Sequence, residues 1–247
     1  MNPLLVGAIL TAYVGGLSLL VGAVPSTRLR AVIYSVPIPM SILSLIGPEL
    51  VEPNVILGLI VNASFFWIVA AGDRLRLPRW FATLIATVGY VGSSWLLAHY
   101  FSPSLLVAIG LALVIWIGLQ PVIKRVPAYR VSEVAPIGPR RLIIVFLTAT
   151  GAVSIASILG PFVVTFPYTG ITMALTYPGS TVPFARSFWL NGMPALLAYG
   201  VGLVTASTAG LAMWAAVLCG LGCWCLATGA AALVQRPRGT APTPESI

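Results

Sequence analysis

Charge is what this chain has least of. Only 7% of its 247 residues are Asp, Glu, Lys or Arg, and the acidic residues number five. A soluble domain carries about a quarter charged residues, so a water-soluble globular fold is excluded. Histidine occurs once, as His99, and cysteine three times, as Cys219, Cys223 and Cys225 in one apolar stretch. Cysteines so confined cannot build a disulfide framework. Neither they nor His99 have companion ligands at metal-site spacing, so they read as packing and interfacial residues. There is no carboxylate pair inside an apolar segment, no His beside a Ser or Cys nucleophile, and no glycine-rich phosphate loop. The chain is therefore expected not to be an enzyme and to need no cofactor.

What is present is apolar. Hydrophobic residues make up 59% of the sequence and mean hydropathy is +1.02. The thirteen Lys and Arg residues fall in short clusters: Arg28/Arg30, Arg74/Arg76/Arg79, Lys124 to Arg141, Arg186, and Arg236/Arg238. A charge is costly in hydrocarbon, so a polytopic membrane protein confines charges to its loops. The net charge of +8 does not point to nucleic acid, because these residues flank apolar runs and form no basic stripe alternating with aromatics. They read as topology signals and as contacts to anionic lipid headgroups.

About nine apolar segments approach the length needed to cross a bilayer: residues 3–24, 31–48, 54–71, 80–99, 104–123, 142–161, 163–178, 188–206 and 209–233. Met1-Asn2-Pro3 carries no basic residue and the run after it is too long for a signal-peptide core, so it reads as a retained first span. The loops after the odd-numbered segments hold all the Lys and Arg; Glu49 and Glu52 follow the second segment. The expected arrangement has the N-terminus outside and the C-terminus in the cytoplasm. The weakest crossing is 163–178, which is short and polar and alternatively reads as a re-entrant hairpin.

Two halves of the sequence look related. Ser44-Leu45-Ile46-Gly47-Pro48 recurs as Ser157-Ile158-Leu159-Gly160-Pro161, and each copy is soon followed by a proline, Pro53 or Pro167. Arg79 then matches Arg186, Trp116 matches Trp224, and Lys124/Arg125 matches Gln235/Arg236. The expected fold is an all-α polytopic helix bundle. Residues 1–27 form one extra helix, 28–125 and 139–236 two parallel four-helix repeats, 126–138 a cytoplasmic linker, and 237–247, rich in Pro, Thr and Ser, a disordered tail.

Residues 139–236 resemble a known family. Leu159, Phe166-Pro167-Tyr168-Thr169, Arg186, Pro194, Tyr199 and Cys223-Trp224 follow one another in order. This is similar to the GlpM family of small four-helix inner-membrane proteins, with its Phe-Pro-Thr element, later Arg, Pro and Tyr span, and final Cys-Trp. Tyr168 stands between the Pro and Thr here, and Glu52-Pro53-Asn54 occupies the Phe-Pro place in 28–125. The resemblance implies a bacterial cytoplasmic membrane, a duplicated four-helix architecture and an association with envelope polysaccharide production. It implies no particular chemistry.

Polar residues inside apolar segments mark the candidate site. Thr165, Thr169, Thr172 and Thr176 are spaced to share one helical face, with Tyr168 and Tyr177 beside them. Prolines at either end free backbone groups, so this stripe could line a polar cavity; alternatively its hydroxyls bond back to carbonyls and serve packing. Asn62 lies in the corresponding segment of the first repeat and Asn191 early in 188–206, where each needs a polar partner. Arg186 could clamp an anionic group. These nine residues are the candidate substrate-binding set, and Glu49 and Glu52 are candidates for proton or cation coupling. Asp73 is expected to pair locally with Arg74. The leading reading is a transporter or permease of a small molecule or lipid-linked substrate. The alternative is a non-catalytic subunit scaffolding an envelope-assembly or lipid-handling complex. Expected partners are the bilayer, anionic lipid, and either a second copy or a membrane-complex subunit.

Overall fold

The computed structural model describes residues 3–127, 138–155, 160–177 and 179–234. The tail 237–247, most of the 126–138 linker and Ser157–Leu159 of the second motif copy lie outside the described residues. Among those described, every regular element is helical. The chain runs through α1 (Pro3–Ala23), α2 (Thr27–Tyr34), α3 (Ile38–Ile46), α4 (Asn54–Arg74), α5 (Arg79–Tyr100), α6 (Leu105–Arg125), α7 (Pro139–Ile155), α8 (Tyr168–Thr176), α9 (Val182–Ser187), α10 (Met193–Thr208) and α11 (Met213–Val234). Short 3-10 turns occupy Pro48–Leu50 and Gly160–Thr165, and a π turn at Phe188–Gly192 joins α9 to α10. Among the described residues, six segments are long and apolar enough to cross a membrane: Thr27–Ile46, Asn54–Arg74, Arg79–Tyr100, Leu105–Arg125, Val182–Thr208 and Met213–Leu233. Three shorter apolar helices lie in α1, in α7 and across Phe162–Thr176.

Local chemistry sets these limits. Ser26 caps α2 by accepting from the Leu29 N–H, and Ser104 caps α6 by accepting from the Val107 N–H, each satisfying a donor that the first turn leaves free. Proline stands before or within the first turn of α3, α4, α5, α8, α9 and α10, where its missing N–H costs nothing. At the end of α10, Gly210 takes the left-handed conformation at φ 81°, and Leu211 N–H returns to Ala206 O, closing the helix as a Schellman turn does.

Helix α4 is the centre of the bundle. It is flanked by α5, α6, α9, α10 and the Gly160–Thr165 turn, and most of its length is buried. Helices α6 and α11 are largely exposed. Large apolar residues on α5, α6 and α11, such as Trp95, Val114 and Leu226, form an outer surface suited to lipid. Next to α4, Tyr34, Phe66, Phe184 and Phe188 form an aromatic knot, with Tyr34 edge-on to the other three at 5.0–5.7 Å, a geometry that stabilises beyond simple burial.

Two arginines depart from the expectation that basic side chains sit in solvated loops. Arg30 lies inside α2, 2% exposed, and Arg141 inside α7, 9% exposed. Arg141 donates to Ser18 O (3.4 Å) and Arg30 to Val24 O. Both therefore meet carbonyls at the C-terminal end of α1, where the helix dipole favours cations. The Arg30 guanidinium also stacks over the Tyr177 ring at 4.7 Å, a further cation–π attraction.

Candidate functional site

Two helices of this bundle are broken at the same place. The run Thr27–Ile46 is interrupted at Ser35-Val36-Pro37 between α2 and α3, and the run Phe162–Thr176 is interrupted at Phe166-Pro167. Proline cannot donate the hydrogen bond that would continue either helix. Both breaks open on one small cavity of about 40 Å³. Its walls are Leu17 of α1, Tyr34, Val36, Pro37, Pro39 and Met40 around the first break, Asn62 of α4, Val164, Thr165, Phe166, Tyr168 and Thr169 around the second, and Leu196 of α10. Asn62 is eight residues into α4 and twelve from its end, so the cavity lies about 12 Å from one end of that helix and about 18 Å from the other.

Four of the candidate residues meet here: Asn62, Thr165, Tyr168 and Thr169. Asn62 Nδ2 donates to Thr165 O at 2.8 Å, so α4 supplies the bond that the broken backbone lacks. The Thr165 hydroxyl bonds Tyr90 Oη at 2.8 Å, and Tyr90 also reaches Phe162 O at 3.0 Å. Tyr168 Oη donates to Val163 O at 3.1 Å. Tyr34 completes the wall, its hydroxyl 3.5 Å from Asn62 Oδ1. Thr169 is 5% exposed. Among the described residues no charged side chain lines the cavity.

The threonine stripe does not survive as one helical face. Thr165 belongs to a 3-10 turn and the α-helix starts only at Tyr168, because Phe166-Pro167 breaks the run that the spacing assumed continuous. Thr172 and Thr176 lie deeper in α8, where Thr172 bonds Tyr168 O and Thr176 bonds Thr172 O. These two are back-bonded, and neither lines the cavity.

The remaining candidates lie elsewhere. Tyr177 faces Arg30 and offers its carbonyl to Arg79. Arg186 is half-buried on α9, with Nε making no hydrogen bond. Asn191 turns back on its own helix, donating to Ser187 O and Oγ. Glu49 and Glu52 are exposed around the Pro48–Leu50 turn, away from the cavity walls. Asp73 pairs with Arg79 at 3.3 Å, in place of the expected Arg74, and takes both the N–H and the hydroxyl of Thr181 at 2.7 Å. Arg79 in turn donates to Tyr177 O and to Gly179 O. The α4–α5 corner is thereby tied to the loop that follows α8. Among the described residues no cluster of three His, Cys, Asp or Glu could hold a metal ion.

Sequence reasoning missed Tyr34, Tyr90 and the Asp73–Thr181 link. The Pro37-Ile38-Pro39 element was the available signal for the first break. Nothing local marks Tyr90 or Thr181, whose partners lie 75 and 108 residues away. The chain matches no protein-family model, and no curated protein or solved structure is significantly similar to it.

Proposed function

We propose that this protein is an integral membrane transporter that moves a small solute through the cavity between its two broken helices. The observation that carries this reading is the meeting of both breaks with Asn62, Thr165, Tyr168 and Thr169 around one small cavity. Non-helical backbone inside a membrane is tolerated where it is buried in protein or lines a cavity. Substrate sites in secondary transporters lie at such breaks, near the midplane and between structural repeats. The proposed setting is a bacterial cytoplasmic membrane, crossed about nine times with the C-terminus inside. The charge pattern and the resemblance of 139–236 to the GlpM family support it. So does the way Arg30, Arg79 and Arg141 gather near the C-terminal end of α1 and the loop after α8.

The duplication draws support from two reciprocal bonds. Trp116 of the first unit donates to Trp189 O of the second, and Trp224 of the second donates to Ser35 Oγ of the first. The Gly-Pro elements of both units open 3-10 turns, and these turns pack together. The last helices dock differently: α11 packs along α10, whereas α6 packs on α4. Rocking of one unit against the other would expose the cavity to each side in turn. The Asp73–Arg79–Thr181 network is then the closure on the basic side.

Site-directed labelling tests the proposal. In a background with Cys219, Cys223 and Cys225 changed to Ala, Thr169→Cys should react with a membrane-impermeant thiol reagent from either side of the membrane. Reaction from one side only, or from neither, contradicts transport. It favours the scaffolding reading, which the absence of an ionised side chain at the cavity would suit.

A further inference from the structure

The span Val182–Thr208 is irregular without being broken. Between α9 and α10 the segment Phe188–Gly192 winds as a π turn, and Met193 N–H bonds Phe188 O instead of Trp189 O. Single π turns are rare and recur at functional sites. Pro194, at the start of α10, gives the local cause. It has no N–H to offer Leu190 O, and in an α-helix its ring would press on that carbonyl. A wider turn relieves the contact. Side chains then serve the carbonyls of the widened turn. Asn191 Nδ2 donates to Ser187 O at 3.0 Å. Trp116 Nε1 of α6 donates to Trp189 O at 3.1 Å, so a helix of the first unit takes up the acceptor that Met193 leaves. The indole N–H of Trp189, on a residue 1% exposed, has no hydrogen-bond partner among the described residues.

The turn lies between two anchors. On one side, α9 begins behind Thr181, whose N–H and hydroxyl both bond Asp73 at 2.7 Å. On the other, Gly192 is pressed against α2, where a Cβ would stand 2.6 Å from Phe188 Cδ2 and 2.9 Å from Ala31 O. The Phe188 ring in turn meets Tyr34, a wall of the cavity, at 5.0 Å. Rewinding the turn as α-helix would return Trp189 O to Met193 N–H and release Trp116. With α10 packed on α11 and α4, it would also shift α9 by one residue, about 100° of rotation and about 1.5 Å along the axis. A shift of that size takes Thr181 out of hydrogen-bonding reach of Asp73.

We propose that Phe188–Gly192 is a register switch for the closure on the basic side. In the π form, held by Trp116, Thr181 sits on Asp73 and the closure is shut; in the α form Thr181 is withdrawn and it opens. The switch rests on the transport reading for the purpose of that closure, and Trp116 serves it as a positioning residue. Spin labels at Arg76 and Ser180 report it in the purified full chain, with Cys219, Cys223 and Cys225 changed to Ala. Trp116→Phe keeps an aromatic ring but leaves Trp189 O without its donor. Pro194→Ala supplies the N–H that Leu190 O lacks. Each should raise the ratio of longer to shorter distances by about fivefold, the worth of one hydrogen bond. A lower Tm with an unchanged ratio would make the turn a packing feature and overturn the switch, as would a ratio moved toward the shorter distance. Should one variant fail to fold, the other decides alone. Raised ratios with one-sided labelling of Thr169→Cys would keep the switch and remove transport. Two-sided labelling with unmoved ratios would do the reverse.

Discussion

At the scale of single residues, the cavity depends on close approaches that leave no spare room. A Cβ on Gly58 would stand 2.2 Å from Thr165 Oγ1 and 3.1 Å from the Phe162 ring. Gly58→Ala should therefore displace the Thr165 turn and destabilise the protein by about 1–3 kcal/mol, read as a lower Tm in detergent. Because the clash is mainly with the hydroxyl, Gly58→Ala combined with Thr165→Ala should cost less than the two single changes added together, a coupling that a double-mutant cycle measures. Strict additivity would mean that Gly58 does not hold Thr165. The polar members of this wall were legible in the sequence because each is conspicuous in an apolar run: Asn62, Thr165, Tyr168 and Thr169 all reach the cavity. Tyr34 was not, since a tyrosine amid apolar residues has no pattern to distinguish wall from packing. The periodic argument presumes an unbroken helix, and Pro167 separates Thr165 from the others; Thr172 and Thr176 share α8 with Thr169 but lie further along it, bonded back to Tyr168 O and Thr172 O.

At the scale of elements, positions of helices follow the apolar runs closely, while the interiors of those runs do not. Segment 31–48 becomes two helices with a bend at Pro37, and 163–178 becomes a 3-10 turn followed by α8. In both, proline chemistry overrides hydropathy. The last hairpin shows another kind of determinant. Helices α10 and α11 approach so closely that a Cβ on Gly202 would lie 2.8 Å from Cys223 Sγ and 3.2 Å from Gly220 Cα. Small residues permit such backbone contact between membrane helices, which fits the reading of Cys223 as a packing residue. Gly202→Val should push α11 away and cost about 1–3 kcal/mol, whereas Gly222→Val, with nothing within 4 Å of its Cβ position, should be near neutral. Thermal unfolding of both variants side by side checks this, and equal effects would remove the explanation.

At the scale of the whole molecule, the all-helical, lipid-suited architecture was legible from composition and charge placement. How the segments assemble around α4 was not, because the links that decide it join residues far apart in sequence. Arg79 to Gly179, Asp73 to Thr181 and Trp224 to Ser35 are examples. In the proposed transport cycle the two units rock about the cavity as bodies, with the Asp73 network closing the basic side. That is a claim about two populated arrangements, and distances between spin labels measure it most directly. One pair is placed at Arg76 and Ser180 on the basic side and another at Glu49 and Ala209 on the opposite side. Each pair should show two distances. Asp73→Asn, which removes the ion pair, should lengthen the first pair on average while shortening the second. A single distance in each pair, unmoved by Asp73→Asn, would contradict alternating access.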